Sequence, residues 1–302
     1  MQDIIIVGGG PAGLSAAIYA ARAGRSTLLL EAEGFGGQIA YAARVENYPG
    51  VRQISGSAFA SDLVDQALEL GVQAELETAV GLRRQDGAWA VVTPSGPLPA
   101  RCVILATGVK HRRLGLPEEE ALIGEGVSYC AVCDGAFYKD KDVAVVGGGN
   151  TALQDALFLS TLCRSVTLIH RRDDFRGEAR LARQLSERKN VRLLLHTVVT
   201  ALKGTASLTG LTVQHVQNGE RTELAVEGLF VAVGQEPNNG WASGAVSLDR
   251  DGYILADESC RASADGVFAA GDGRTKAVRQ LATAAADGVV AGLAACRYLE
   301  NN

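Results

Sequence analysis

The chain opens on an unbroken apolar run, Ile4-Ile5-Ile6-Val7, which stops at Gly8-Gly9-Gly10 and gives way to an Ala-rich stretch of helical spacing, Leu14 to Ala23. A run apolar at every position predicts a strand buried on both faces, as in a parallel sheet. The same order returns at residues 142–163, where Val143-Ala144-Val145-Val146 leads into Gly147-Gly148-Gly149 and then a helix-like segment from Ala152 to Leu162. A second apolar run follows each copy, at Thr27–Leu30 and at Val166–Ile169. This is a weak internal repeat of two βαβ units, and it predicts two dinucleotide sites.

Further strands are predicted at 101–106, 228–233 and 266–270, ending in Thr107-Gly108, Gly234-Gln235-Glu236-Pro237 and Gly271-Asp272. The last feeds an Ala-rich helix carrying Leu281, Val289, Val290 and Leu293. Loop signals at Gly115-Leu116-Pro117 and Asn238-Asn239-Gly240 mark the candidate crossings between domains. The expected architecture is α/β, with two Rossmann-like dinucleotide-binding domains of three layers each. Residues 1–114 and 245–302 form one, and 115–244 form a second inserted into it.

Composition agrees with this picture. A chain of 302 residues suits two domains, and 47% hydrophobic residues suffice for two cores. Only 5% are aromatic, whereas Ala, Gly, Val and Leu dominate, which lets helices approach a sheet closely. A net charge of -5 without a basic tract argues against nucleic acid as partner and against a polybasic membrane anchor. No positively charged segment precedes the first apolar run, and no run approaches the ~18 residues a membrane span needs. Six cysteines without an export signal predict a reducing, cytoplasmic setting, in which any close pair has a special role.

Candidate chemistry follows the repeat. Gly8, Gly10 and Gly13 form G-x-G-x-x-G between a strand and a helix, the pattern that brings backbone amides against a pyrophosphate. Glu31 ends the next strand, where a carboxylate accepts from ribose hydroxyls and repels a 2′-phosphate. In the second copy, Gly147, Gly149 and Ala152 keep the spacing, but the acid is replaced by His170-Arg171-Arg172, with Arg176 one turn on. Guanidinium groups there can grip a 2′-phosphate bidentately. A charge run is more commonly a solvated surface, but opposite charges at equivalent points of two similar units indicate two different nucleotides. The first site reads as FAD and the second as NADPH.

Cys130-Ala131-Val132-Cys133 lies just before the second unit. Structural zinc needs four ligands, and the sequence holds no second C-x-x-C and no close His pair. A reducible dithiol is the better reading. Asp134 is placed to move a proton to or from a thiolate, though an aspartate there also suits a helix cap or turn. Cys102, Cys163, Cys260 and Cys296 have no near partners and read as buried small hydrophobes.

At this point the sequence resembles a known family. GVSYCAVCDGAFY is similar to the active-site segment of low-molecular-weight thioredoxin reductases, which are pyridine nucleotide-disulfide oxidoreductases of class II. GGGPAGLSAAIYAARAG, Gly36-Gly37-Gln38, VENYPG, Ala106-Thr107-Gly108, GGGNTA, HRRDDFR and AAGDGRTKAVRQ resemble it too, in the family's order and over nearly the whole chain. The resemblance implies that Gly8, Gly10, Gly13, Glu31, Gln38, Asn47, Thr107, Asp272, Arg279 and Gln280 hold FAD. It implies that Gly147, Gly149, Ala152, His170, Arg171, Arg172 and Arg176 hold NADPH. Cys133 would face the flavin, Cys130 would attack the partner disulfide, and Asp134 would be the acid–base group. Implied with these are a homodimer and a thioredoxin or thioredoxin-like redoxin as acceptor, electrons passing from NADPH through FAD and the dithiol to its disulfide. Competing readings are a reductase of another small redoxin, a flavin-dependent dithiol oxidase, and a non-enzymatic redox sensor. Because the dithiol and the NADPH turn share one domain while the flavin lies in the other, rotation of the inserted domain is expected, with bending near 112–118 and 240–246.

Overall fold

Each unbroken apolar run is a strand with a core on either side of it. In the computed structural model, which describes every residue except Ala43, Gln2–Val7 runs parallel to both Thr27–Glu31 and Gly96–Leu105. Its side chains alternate. Ile4 and Ile6 enter a core shared with the helix Pro11–Arg22. Ile5 and Val7 enter another, with Trp89, Val91, Ala242 and Ile254. Ile4, Ile5 and Ile6 are all fully enclosed, and burial of such a side chain contributes roughly 1.5–3 kcal/mol. The full sheet has seven strands. Gln73–Leu76, Thr27–Glu31, Gln2–Val7, Gly96–Leu105, Ala88–Thr93 and Gly81–Gln85 follow in order, and Val267–Ala269 pairs parallel to Gly96–Leu105.

The second repeat builds a five-stranded parallel sheet in the order Val191–Leu194, Ser165–Ile169, Asp142–Gly147, Gly228–Ala232, Val127–Ser128. The same alternation holds, with Val143 and Val145 on one side and Ala144 and Val146 on the other. A three-stranded antiparallel sheet, Thr197–Lys203, Gly210–His215 and Arg221–Leu224, belongs to the same part of the chain.

The low aromatic content has a packing reason. The helices Pro11–Arg22 and Leu281–Asn301 lie so close that a Cβ on Gly288 would sit 2.1 Å from the carbonyl oxygen of Ala12.

The chain divides into two units, Met1–Lys110 with Glu236–Asn302, and His111–Gln235. These boundaries fall a few residues earlier than the loop signals, and two buried side chains explain the offset. Glu119, 1% exposed, accepts hydrogen bonds from the amides of Leu114 and Gly115 (2.9 and 2.8 Å) and from the Tyr129 hydroxyl (2.7 Å). Residues 114–116 are thereby fastened inside the second unit. Asn239, 0% exposed, bonds to Gly252, Gly273 and Thr107 and fastens its segment inside the first. Among the described residues no helix is long and apolar enough to cross a membrane.

Candidate functional site

In the first unit the Gly-rich turn is shaped by two contacts that exclude a side chain. Gly8 has φ +112°, and a Cβ on Gly13 would lie 1.8 Å from the Gly8 carbonyl oxygen. Glu31 reaches this turn as its spacing predicts, and its carboxylate accepts from the amides of Gly9 (2.7 Å) and Glu33 (2.9 Å).

Residues distant in sequence collect around it. Gln38 donates through Nε2 to the carbonyl of Val109. Asn47 donates to Gln280 Oε1 at 3.3 Å. Gln280 is itself the N-cap of the C-terminal helix, in a reciprocal pair with Thr283. Arg279 donates to the carbonyl of Asp272 at 3.3 Å and lays its guanidinium 4.3 Å from the centre of the Tyr253 ring. Asp272 Oδ1 is buried without a hydrogen-bond partner, and burial raises its carboxyl above the usual range despite Lys276 and Arg279 nearby. A buried acceptor with no partner, on a loop that packs against the helix opening at the Gly-rich turn, fits a polyhydroxylated dinucleotide. Of the ten residues expected to hold FAD, all lie in this unit.

The sequence reading missed the support behind them. Asp287 on the C-terminal helix accepts from the Gly271 amide (3.1 Å), from Arg274 Nε and Nη2 (2.9 and 3.1 Å) and from Lys276 Nζ (2.9 Å). That carboxylate, raised by burial but brought below its ordinary pKa by Arg274 and Lys276 together, binds the Asp272 loop to the helix that follows it.

In the second unit the turn Gly147–Gly149 opens the helix Asn150–Leu159. A Cβ on Gly149 would meet nothing within 4 Å, so the turn is open there. The basic segment is strapped to this turn, because the amides of Arg176 and Gly177 both donate to the Gly148 carbonyl, at 2.7 and 3.1 Å. His170 differs from its neighbours. It is 6% exposed, stacks on Phe175 with ring centres 5.2 Å apart, and closes with Nε2 on the Asp174 carbonyl at 3.1 Å. Burial lowers its pKa, and the three arginines lower it further. Arg171, Arg172 and Arg176 are exposed, and among the described residues none of them is in an ion pair. Three guanidinium groups without a carboxylate, beside an open Gly-rich turn, fit a phosphate-bearing ribose.

Cys130 and Cys133 form a disulfide, with Cα atoms 5.3 Å apart. The pair sits on a four-residue helix, Ala131–Asp134, of which Cys130 is the N-cap, and the Cys133 amide donates to Cys130 Sγ at 3.2 Å. Val132, between them, is 55% exposed. Asp134 lies in the same turn and accepts from Ser128 Oγ at 2.6 Å. Burial raises its carboxyl, and the Ser128 bond partly offsets this. The other four cysteines are buried and unpaired, with thiols pushed up by burial, Cys102 to about 12 and Cys163 and Cys260 to about 11. Thiols so poorly ionised are inert.

Over residues 2–288 the chain matches the family described as pyridine nucleotide-disulphide oxidoreductase. It is 40% identical over 299 residues to a thioredoxin reductase of Treponema pallidum, covering 99% of this chain and 97% of that one. It is 41% identical over 302 residues to a bifunctional thioredoxin reductase/thioredoxin of Mycobacterium leprae, covering 99% of this chain but spanning 66% of that protein's length. Among solved structures, the thioredoxin reductase of Streptococcus pyogenes matches with a TM-score of 0.96 at 37% identity, over 100% of this chain and 99% of that one.

Proposed function

We propose, for a chain that belongs to the pyridine nucleotide-disulphide oxidoreductases and among them to the low-molecular-weight thioredoxin reductases, that it reduces the disulfide of thioredoxin, or of a thioredoxin-like redoxin, at the expense of NADPH. The observation that carries this reading is the set of three sites in one chain. A Gly-rich turn with an acid, a Gly-rich turn with unpaired arginines, and a half-buried disulfide flanking the exposed Val132, with a carboxyl beside it, are what a nicotinamide-to-disulfide reductase requires. The cofactors are FAD and NADPH, and bound FAD supplies the two-electron relay between the nicotinamide and the dithiol.

The chain's own residues divide the work. Gly8, Gly10 and Gly13 let the turn and the helix N-terminus approach a pyrophosphate, Glu31 selects unphosphorylated ribose, and Gln38, Asn47, Thr107, Asp272, Arg279 and Gln280 complete the FAD site. Gly147, Gly149 and Ala152 form the NADPH turn, and Arg171, Arg172 and Arg176 grip the 2′-phosphate. His170 supports that grip from beneath, as a packed ring rather than a charged one. Once reduced, Cys130 attacks the redoxin disulfide and Cys133 resolves the mixed disulfide. Asp134, whose raised pKa lets it carry a proton nearer neutrality, exchanges it with the thiols. The inserted unit holds both the dithiol and the NADPH turn, so it turns to bring each in succession to the flavin of the other unit. A homodimer and a cytoplasmic location complete the proposal.

The test is to purify the protein, record a flavin spectrum, and follow NADPH and NADH oxidation with a panel of redoxins. NADPH-dependent reduction of thioredoxin is expected. A glutaredoxin-like acceptor preferred over thioredoxin would rename the substrate, and absence of flavin or of any disulfide-dependent turnover would overturn the reading.

A further inference from the structure

Asn239 lies where the sequence shows only a loop signal, yet no polar side chain among the described residues is more deeply enclosed. Its amide is fully used. Nδ2 donates to the carbonyls of Gly252 and Gly273, both at 2.9 Å, and Oδ1 faces Thr107 Oγ1 at 2.5 Å. The polarity of this node follows from its partners. Two carbonyls can only accept, so the NH2 group has to face them and the amide oxygen is what remains for Thr107. A hydroxyl that close to an amide oxygen donates its single proton to it. Thr107 therefore spends its proton inside the protein and has only lone pairs to offer elsewhere.

Two neighbours make that orientation matter. A Cβ on Gly273 would lie 2.6 Å from Thr107 Oγ1, so the loop bearing Asp272 closes on the hydroxyl with no side chain between. A Cβ on Gly8 would meet the Ala106 carbonyl at 2.2 Å and the Thr107 amide at 3.2 Å, so the same segment abuts the first Gly-rich turn. Asn239 thus joins, in one amide, two segments of the expected flavin site that lie far apart in sequence.

We propose that Asn239 is a positioning residue for the flavin. It fixes Thr107 as a hydrogen-bond acceptor, so that the site takes a donor group of the flavin there, a ring N–H or a ribityl hydroxyl, and it holds the Asp272–Gly273 loop against that hydroxyl. The inference rests on the reading of the first unit as the FAD site. Loss of the amide has two effects. The carbonyls of Gly252 and Gly273 lose their donor, and the Thr107 proton is released to point at the ligand, where it opposes a donor instead of accepting from it.

The experiment compares wild type with Asn239→Ala, Thr107→Val, Thr107→Ser and the Asn239→Ala/Thr107→Val double variant, each stripped of flavin and titrated with FAD. Dissociation constant, flavin absorption maxima, flavin reduction potential and melting temperature of the apoprotein are recorded. Asn239→Ala and Thr107→Val each weaken FAD by about tenfold and alter the absorption maxima, since each removes or reverses one hydrogen bond. Thr107→Ser, which keeps the hydroxyl, binds close to wild type. The double variant loses less than the product of the two single losses, because the part of Asn239's action that orients the Thr107 hydroxyl is already gone in Thr107→Val, while its hold on the Gly252 and Gly273 carbonyls is not. If Asn239→Ala does not fold, Asn239→Thr replaces it; its hydroxyl donates to one carbonyl and still accepts from Thr107, so flavin absorption stays close to wild type, and a change as large as that of Thr107→Val overturns the proposal. An Asn239 variant that lowers the melting temperature but leaves FAD affinity, absorption and potential unchanged overturns the proposal, as does a double variant whose loss is the product of the two single losses. A wild-type protein that binds no FAD overturns instead the reading on which the inference stands.

Discussion

Ser128 and Asp134 are joined by a 2.6 Å hydrogen bond from the serine hydroxyl to Asp134 Oδ2, and the same hydroxyl oxygen accepts from the Cys130 amide at 3.1 Å. One side chain therefore links the carboxyl beside the dithiol to the backbone of Cys130. Burial raises the Asp134 pKa and Ser128 opposes that rise, so Ser128→Ala moves it higher still. The pH profile of redoxin reduction is expected to shift to higher pH in Ser128→Ala. Asp134→Asn slows the same step by roughly 100-fold, within the usual range for a lost acid–base group. Flavin reduction by NADPH, measured by stopped-flow absorbance, stays unchanged in both. A profile that does not move on Ser128→Ala would mean that Asp134 does not carry the proton.

Cys130→Ser and Cys133→Ser each abolish reduction of a protein disulfide while NADPH still bleaches the flavin, because hydride delivery needs no thiol. If Cys133 is the thiol that faces the flavin, its loss also removes any long-wavelength charge-transfer band that Cys130→Ser retains. Ordinary turnover in either variant excludes the dithiol from the relay.

Nucleotide choice is expected to rest on Arg171, Arg172 and Arg176. Charge-assisted hydrogen bonds are worth ~1.5–3 kcal/mol each, so Arg171→Ala/Arg172→Ala should lower kcat/KM for NADPH by about 100-fold or more. kcat/KM for NADH should change little. Equal losses with both nucleotides would place the 2′-phosphate elsewhere. His170→Phe is expected to be milder, since the buried ring acts by packing on Gly148 and Phe175.

Stability should fall on the alkaline side through Asp155, on the helix that opens at the second Gly-rich turn. Burial raises its carboxyl to about 7. A carboxyl raised on folding favours the folded state below the ordinary carboxylate range and loses that contribution as pH rises through about 7. Asp155→Asn should therefore flatten the decline in urea-unfolding free energy between about pH 4 and 8, and stabilise at pH 8 by an amount on the order of 2 kcal/mol, given its partial exposure. An unchanged slope would show that Asp155 ionises freely.

Glu119 and Asn239 fasten residues 114–116 and 239 to opposite units, so the bends that turn the inserted unit are expected at 110–111 and 235–236 rather than within 112–118 and 240–246. Dyes placed one on each unit should report two distance populations that exchange on μs–ms timescales and shift with NADPH. A single population, with and without NADPH and with oxidised redoxin, would rule the rotation out.

The parts of this molecule that were legible in the sequence are those written in short-range pattern. Ile4–Val7 and Val143–Val146 read as strands because both of their faces are covered, which removes any polar alternation. The glycine spacing, Glu31, the arginine run and Cys130–Cys133 are each local enough to be seen without a fold. His170 was legible as a position but not as a role, since only its burial against Gly148 separates it from the exposed arginines beside it.

The chain's order of apolar, glycine and charged positions thus determined by itself the two βαβ units, the expectation of two different nucleotides and the dithiol, because a strand, a phosphate-binding turn and a C-x-x-C are each specified by neighbours a few residues apart. Only the tertiary structure decided where the units part and what holds the expected flavin contacts in place. Asn239 bonds Thr107 across 132 positions, and Asp287 reaches the Asp272 loop from the following helix. Asparagine in a turn-like stretch and aspartate on an Ala-rich helix carry no periodic signal. Their function comes from the carbonyls, amides and cations that folding brings to them.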